Sequence, residues 1–129
     1  MFMVTPLNVE ILSSQPGLIE VEDYVTIKYR IVGVKAAKVG EGYEITAAID
    51  VEARFNKQPQ QVVGPCGVNA PYRPTPFRLV EPAHAVVKVD GRVFEVYAEP
   101  IAVAVADGFI TTTGEPCVAI HTAIGWTAK

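Results

Sequence analysis

Residues 101–126 limit the choice of fold more than any other part of the chain. This segment is rich in small and β-branched residues, and its only charged residues, Asp107 and Glu115, coincide with turn signals. An Asp-Gly pair between two β-prone runs is typical of a two-residue hairpin turn, because such a turn needs positive φ at both central residues. The pattern therefore predicts a three-strand meander, with turns at Asp107-Gly108 and at Gly114-Glu115-Pro116.

Side chains alternate between the two faces of a sheet, so the predicted register also assigns each residue to a face. One face carries mainly large apolar residues: Ile101, Val103, Val105, Ile110, Thr112, Val118, Ile120, Ile124 and Trp126. The other face carries mainly small residues without charge: Ala102, Ala104, Ala106, Phe109, Thr111, Thr113, Cys117, Ala119, His121 and Ala123. Because a solvated face would carry charges, we expect both faces to be covered, the second one either by this chain or by another.

The chain has 129 residues, of which 50% are hydrophobic and 19% are charged, so it can bury a core and is not disordered. We expect one domain over residues 1–129. A formal net charge of -3 provides no basic footprint for nucleic acid or for an anionic membrane surface. The N-terminus lacks a basic n-region, and no apolar run approaches the ~20 residues that span a bilayer. We therefore expect neither a signal peptide nor a membrane segment, and a location in the cytoplasm or in a virion or other assembly.

The rest of the chain repeats a strand-and-turn pattern without helical periodicity. Residues 18–39 form a long extended stretch whose apolar parity shifts near Val32, which predicts a β-bulge. Residues 43–55 alternate without interruption, and the bulged register would place Lys28 opposite Glu52 and Arg30 opposite Asp50. A second hairpin is predicted over residues 84–99, with its turn at Asp90-Gly91.

Residues 56–77 form a long irregular segment, because five prolines prevent it from being a regular central strand. It is predicted to be a stiff crossover between sheets, with a docking segment for a partner as the alternative. Eight or nine antiparallel strands need cover on both sides, which favours an all-β, single-domain antiparallel β-sandwich, of which a jelly roll is one form. A flattened β-barrel is the alternative.

His84, Cys117 and His121 are the candidates for metal chemistry. Two histidines and one cysteine are the ligand set of a blue-copper site, and Cys117 and His121 share one face of a predicted strand. Such a site also needs a closing loop, whereas residues 122–126 continue as strand, and the methionines are at positions 1 and 3. A zinc site that also uses Cys66 has no recognised ligand spacing. We therefore expect no metal and no other cofactor.

Cys66 and Cys117 are the two cysteines of the chain. A disulfide between them would close a loop of about 50 residues and contribute about 4 kcal/mol in the chain-entropy model. The expected absence of a signal peptide favours free thiols, while a virion component or a hyperthermophile protein would favour the disulfide.

The sequence contains no CxxC motif, no glycine-rich phosphate loop after a strand and no serine beside a base, so we expect no enzymatic activity. We predict a structural protein that self-associates or docks to a protein partner through the small-residue face, for example in a virion or filament. The predicted interface residues are Ala102, Ala104, Ala106, Phe109, Thr111, Thr113, Ala119 and Ala123. The alternative is a small-ligand or metal-binding module that uses His84, Cys117 and His121.

Overall fold

The computed structural model describes residues 4–58, 61–67 and 69–129, and these residues form strands and connections without a helix. The strands are β1 (Val4–Leu7), β2 (Val9–Gln15), β3 (Gly17–Val21), β4 (Val25–Val39), β5 (Gly42–Phe55), β6 (Gly64–Pro65), β7 (Arg73–Pro74), β8 (Arg78–Glu81), β9 (Ala83–Val89), β10 (Arg92–Ile110) and β11 (Pro116–Ala128). The prediction of an all-β chain is confirmed.

The strands form two sheets that pack face to face. The first sheet has the order β5-β4-β3-β8, with β1 also paired to β4, and the second has the order β11-β10-β9-β2, with β6 and β7 also paired to β10. Between β1 and β2 the chain passes from the first sheet to the second at Asn8. No ladder joins β5 to β11 in the part of the chain that the structure describes, so the two sheets do not close. The predicted β-sandwich is confirmed and the flattened barrel is wrong.

The core lies between the two sheets and follows from period-2 alternation on the long strands. On β4, residues Val25, Ile27, Tyr29 and Ile31 are buried, while Lys28 and Arg30 between them are exposed. Facing them in the second sheet are buried residues of β9 and β10: Ala83, Ala85, Val87, Val89, Phe94, Val96, Ala98, Val103 and Val105. This alternation determines which side of each strand is left for other contacts.

Two predicted registers are confirmed. The pairing of β4 with β5 shifts between Ile31 and Gly33, so Lys28 is opposite Glu52 and Arg30 is opposite Asp50. The turn between β9 and β10 has positive φ at Asp90 (48°) and Gly91 (83°), and Val89 pairs with Arg92.

The predicted meander is wrong, because β10 continues through Asp107-Gly108 instead of turning there. Gly108 does adopt a positive φ of 84°, but at an irregularity where the pairing passes from Val105↔Val118 to Ile110↔Pro116. The crossover segment, residues 56–77, hydrogen-bonds to the backbone at this point, since the Val63 N–H donates to the Gly108 carbonyl at 2.6 Å. The glycine therefore adopts its positive φ in a bulge of β10. The chain turns only after Ile110, between β10 and β11.

Residues 56–77 cross between the sheets, as predicted, and their described part is attached along β10. From the end of β5 in the first sheet, the chain forms β6 and β7 beside β10 and then returns to the first sheet as β8. The Thr75 N–H donates to the Val103 carbonyl at 2.9 Å, and the Arg73 side chain pairs with Asp107. Residues 59, 60 and 68 of this segment lie outside the described residues.

Candidate functional site

Strand β11 lies at the end of the second sheet and has one paired side. Its partner is β10, and no strand in residues 4–58, 61–67 or 69–129 pairs with its other side. We call that other side the free edge of β11. A free edge presents unpaired backbone N–H and C=O groups, which can accept another strand.

The side chains of β11 carry no Asp, Glu, Lys or Arg from Pro116 to Ala128. Ala119, His121, Ala123 and Gly125 are exposed on the outer side of the sheet. Ile120, Ile124 and Trp126 point to the other side, where they are half-buried and pack against the margin of the core. The strand is therefore uncharged on both sides and incompletely covered on both.

The other edge strands have features that discourage pairing with another chain. Strands β1 and β8 have 4 residues each, and β1 contains Pro6. Strand β2 contains Glu10, and its pairing with β9 shifts between Ile11 and Ser13. Strand β5 is as long as β11 but carries four charged residues, Glu44, Asp50, Glu52 and Arg54. Short strands, bulges, prolines and charges are the usual protection of sheet edges. After Pro116 at its start, β11 has none of these on its own residues.

The structure divides the predicted interface residues into a covered group and an open group. The crossover segment runs beside β10 through the pairs Ala104↔Pro74 and Phe109↔Gly64, and its Cys66 covers one end of the face by bonding to the buried Cys117. There Ala106 is buried, and Ala104, Phe109 and Thr111 are half-buried. Ala102, Ala119 and Ala123 are exposed on the outer face, and Thr113 is exposed in the turn after β10. Within one molecule the face is therefore covered at one end only.

We call Ala102, Ala119, Ala123 and Gly125 the small-residue patch. Ala102 lies opposite His121, and the pairing skips Ile101, which forms a bulge and is 57% exposed. This bulge moves Ile101 away from the buried face to which the alternation had assigned it. The sequence pattern placed these alanines on one face but did not indicate the free edge, although the absence of charges over β11 was a visible signal.

Beyond the patch, the outer face of the second sheet is polar. Glu95, Tyr97 and Glu99 on β10 are directed to this side, opposite Thr127, Gly125 and Ala123 of β11. The Tyr97 hydroxyl donates a hydrogen bond to the Glu95 carboxylate. This bond lowers the pKa of Glu95 and raises the pKa of Tyr97, because it stabilises the ionised carboxylate and the neutral phenol. The uncharged surface is thus confined to β11 and the adjacent end of β10.

The three candidate metal ligands are not brought together. His84 lies half-buried on β9, with its ring centroid 6.2 Å from that of Tyr97, and His121 is exposed on β11. The two histidines are two strands apart and offset along the sheet, which corresponds to roughly 15 Å or more. Cys117 is buried in a disulfide with Cys66, whose Cα lies 5.7 Å from its own. Within the described residues, no group of three His, Cys, Asp or Glu side chains could hold a metal ion.

The predicted ligand pocket does not form around these residues either. His84 borders an open depression together with Gln15, Pro16, Glu81 and Pro82. Cys117 lies beneath the crossover segment and His121 lies on the open face, so neither lines that depression. The alternative of a module that binds through all three residues thus lacks a common site.

The described residues contain no helix that is long and apolar enough to cross a membrane. No protein-family model, curated protein or solved structure matches this chain.

Proposed function

We propose that the protein is a non-enzymatic structural subunit that self-associates through β11 and the small-residue patch. The observation that supports this most directly is the free edge of β11, a 13-residue edge strand without a charged side chain. Long, uncharged edge strands pair readily with other chains, and natural proteins protect them when such pairing is unwanted. The contrast with the shorter, bulged or charged edges of the same molecule supports a role for this one in assembly.

The side chains next to the free edge support the same proposal. Ile120, Ile124 and Trp126 lie at the margin of the core and remain half-buried, so a neighbouring strand would remove further apolar surface from water. On the outer side, the alanines and the glycine of the patch allow a partner backbone to approach closely. Both sides of β11 would therefore gain from a partner.

The disulfide is consistent with a subunit of a virion or extracellular assembly. Disulfides persist mainly in oxidising environments, with the proteins of hyperthermophiles as the main intracellular exception. The bond between Cys66 and Cys117 attaches the crossover segment to the start of β11. It therefore holds one end of the proposed assembly strand in place.

The proposal is tested by measuring the molar mass of the native protein by light scattering and sedimentation velocity over a wide concentration range. We expect the mass to rise with concentration toward that of a dimer or a larger assembly. A protein that remains monomeric up to millimolar concentration would contradict the proposed function.

A matched pair of variants locates the contact surface. Ala123→Arg places a charge in the centre of the exposed part of β11, and Ala48→Arg places the same charge on an exposed alanine of β5. We expect Ala123→Arg to remain folded and to become monomeric, because self-association through this strand would bring the like charges of two copies together. Ala48→Arg should assemble like the parent protein. Equal assembly of both variants would mean that the association uses another surface.

A further inference from the structure

We infer that the partner of β11 is β11 of a second copy, paired antiparallel about a twofold axis at Ala123, so that the second sheets of two molecules become one continuous sheet. This inference rests on the proposed function and specifies its partner and geometry. It follows from the backbone direction, the length of the accessible strand, the fit of the side chains and the position of the charges.

The backbone direction is established by one hydrogen bond at the end of β11. The Lys129 N–H donates to the Val93 carbonyl at 2.8 Å, and Ala128 lies opposite Phe94. In an antiparallel ladder, hydrogen-bonded and non-hydrogen-bonded pairs alternate. The odd-numbered residues of β11 therefore direct their N–H and C=O groups toward β10, and the even-numbered residues direct theirs toward the free edge.

The free edge thus presents the backbone groups of Val118, Ile120, Thr122, Ile124, Trp126 and Ala128. An antiparallel partner strand must match even-numbered residues with even-numbered residues. When the twofold axis passes through a residue, the numbers of any two paired residues add up to an even number, so even-numbered residues pair with even-numbered residues. When the axis passes between two residues, the sum is odd, and even-numbered residues would pair with odd-numbered ones.

The accessible length of β11 determines which residue lies on the axis. Pro116 and Cys117 are buried, and Cys117 is held by the disulfide, so the strand available to a partner is residues 118–128. Its midpoint is Ala123. Full pairing about Ala123 forms about a dozen backbone hydrogen bonds between the two copies.

The side chains fit this register. Ala123 faces its own copy, Ala119 faces Thr127, and His121 faces Gly125. These are the non-hydrogen-bonded pairs of the new ladder, in which Cα atoms are only about 4.5 Å apart and small side chains are favoured. His121 is the largest side chain on this side, and it meets the residue without a side chain. On the core side, Ile120 faces Trp126, which extends the apolar margin of one core into that of the other.

The charges favour this edge-to-edge contact over stacking of the two outer faces. Stacked faces would bring Glu95 and Glu99 of both copies into one interface, where like charges are removed from water. In edge pairing, two β11 strands without charged residues separate the two β10 strands. A second copy is also a suitable partner because twofold pairing of an uncharged strand creates no like-charge contact along its length.

Cysteine cross-linking under oxidising conditions tests the register. Ala123→Cys should form a covalent dimer, because Cα atoms about 4.5 Å apart are within disulfide range. Ala119→Cys should not link to itself, since the two copies of residue 119 would be roughly 27 Å apart along the strands. A mixture of the Ala119→Cys and Thr127→Cys proteins should link to each other. Ala48→Cys on β5 measures the background from random collisions.

Amide hydrogen exchange of the unmodified protein provides a second readout. On association, we expect exchange at the even-numbered residues 118–128 to slow by at least about tenfold, whereas odd-numbered residues, which are already bonded to β10, change little. A second result is that the protein assembles while Ala123→Cys gives only background linking and the even-numbered amides stay unprotected. That result would overturn the edge geometry but would leave the proposed self-association standing. A protein that is monomeric at every concentration would overturn both.

Discussion

Tyr29 connects the two sheets through a single side chain. Its ring is fully buried on β4, and its hydroxyl donates to the Ala98 carbonyl at 2.8 Å and accepts from the Ala83 N–H at 3.0 Å, both in the second sheet. The ring lies against Gly17 on β3, where a Cβ atom would clash with the ring and with the Ala83 nitrogen. Gly17 is therefore required for close approach rather than for an unusual φ.

We expect Tyr29→Phe to lower the free energy of unfolding by about 1–3 kcal/mol, because it leaves a buried carbonyl and a buried N–H without their partner. Urea unfolding followed by Trp126 fluorescence would measure the change. The control is Tyr97→Phe on the exposed outer face, which should change stability by less than about 0.5 kcal/mol. Equal effects of the two variants would show that the hydroxyl does not connect the sheets.

The same variant should also alter the response to alkaline pH. Burial raises the pKa of Tyr29, so its neutral form is favoured in the folded state. The resulting stabilisation is complete below the unfolded pKa of about 10 and is lost as the pH rises through the higher folded value. Tyr29→Phe should therefore lose less stability than the parent protein above pH ~10. Some dependence should remain, because the pKa values of Tyr24 and Tyr97 are also raised.

At the scale of elements, oppositely charged residues lie opposite one another in the register that pairs β4 with β5. Lys28 lies opposite Glu52 and Arg30 lies opposite Asp50, on the exposed side of two strands whose other side is in the core. A slip by one residue would turn the buried side chains of β4 to solvent. Core burial therefore holds the register, and the opposite charges favour it further.

A double-mutant cycle measures that contribution. Glu52→Lys alone and Lys28→Glu alone should each destabilise the protein by about 0.5–1 kcal/mol, because each places like charges opposite one another. The double exchange should recover most of the loss. Unfolding in urea at low and at high salt is the appropriate measurement, since salt screens such exposed pairs. Strictly additive losses would contradict a cross-strand interaction.

At the scale of the whole molecule, the crossover segment is attached to the second sheet by β6, by β7 and by the disulfide. Cys66 and Cys117 are 51 residues apart in sequence, so their bond restricts a large part of the unfolded chain. The bond also places the segment over Ala106 and Cys117, which are both buried. One covalent link thus contributes to stability and determines which part of the outer face stays open.

Reduction should lower the free energy of unfolding by about 4 kcal/mol in the chain-entropy model. Thermal unfolding with and without reductant would measure the loss. The variant in which both Cys66 and Cys117 are replaced by alanine should unfold at a lower temperature than the oxidised parent and should not respond to reductant. Titration of the denatured protein without reductant should detect no thiol, and two reactive thiols would contradict the bond.

Much of the fold followed from local patterns. The alternation over residues 43–55, the parity shift near Val32 and the Asp90-Gly91 turn each predicted a feature that the structure contains. These signals succeed because they act between near neighbours and do not depend on the remainder of the chain. Residues 18–39 show the limit of local patterns, because the predicted single extended stretch is two strands, β3 and β4, joined by a turn. Glu22 in this turn has a φ of 50°, and glutamate is not a residue that signals such a turn.

The sequence could not show how much of the small-residue face is covered, because the segment that covers it is distant in the chain. Asp107-Gly108 has the same local signal as Asp90-Gly91, but at Gly108 the crossover segment donates a backbone hydrogen bond and the strand continues. The sequence by itself determined the uncharged composition of β11 and the alternation that exposes Ala119 and Ala123. Only the tertiary structure decided that β11 lies at an edge and that the crossover segment covers Ala106 but leaves those alanines open. Strand order and cover depend on contacts between residues far apart in the chain, and no local pattern encodes them.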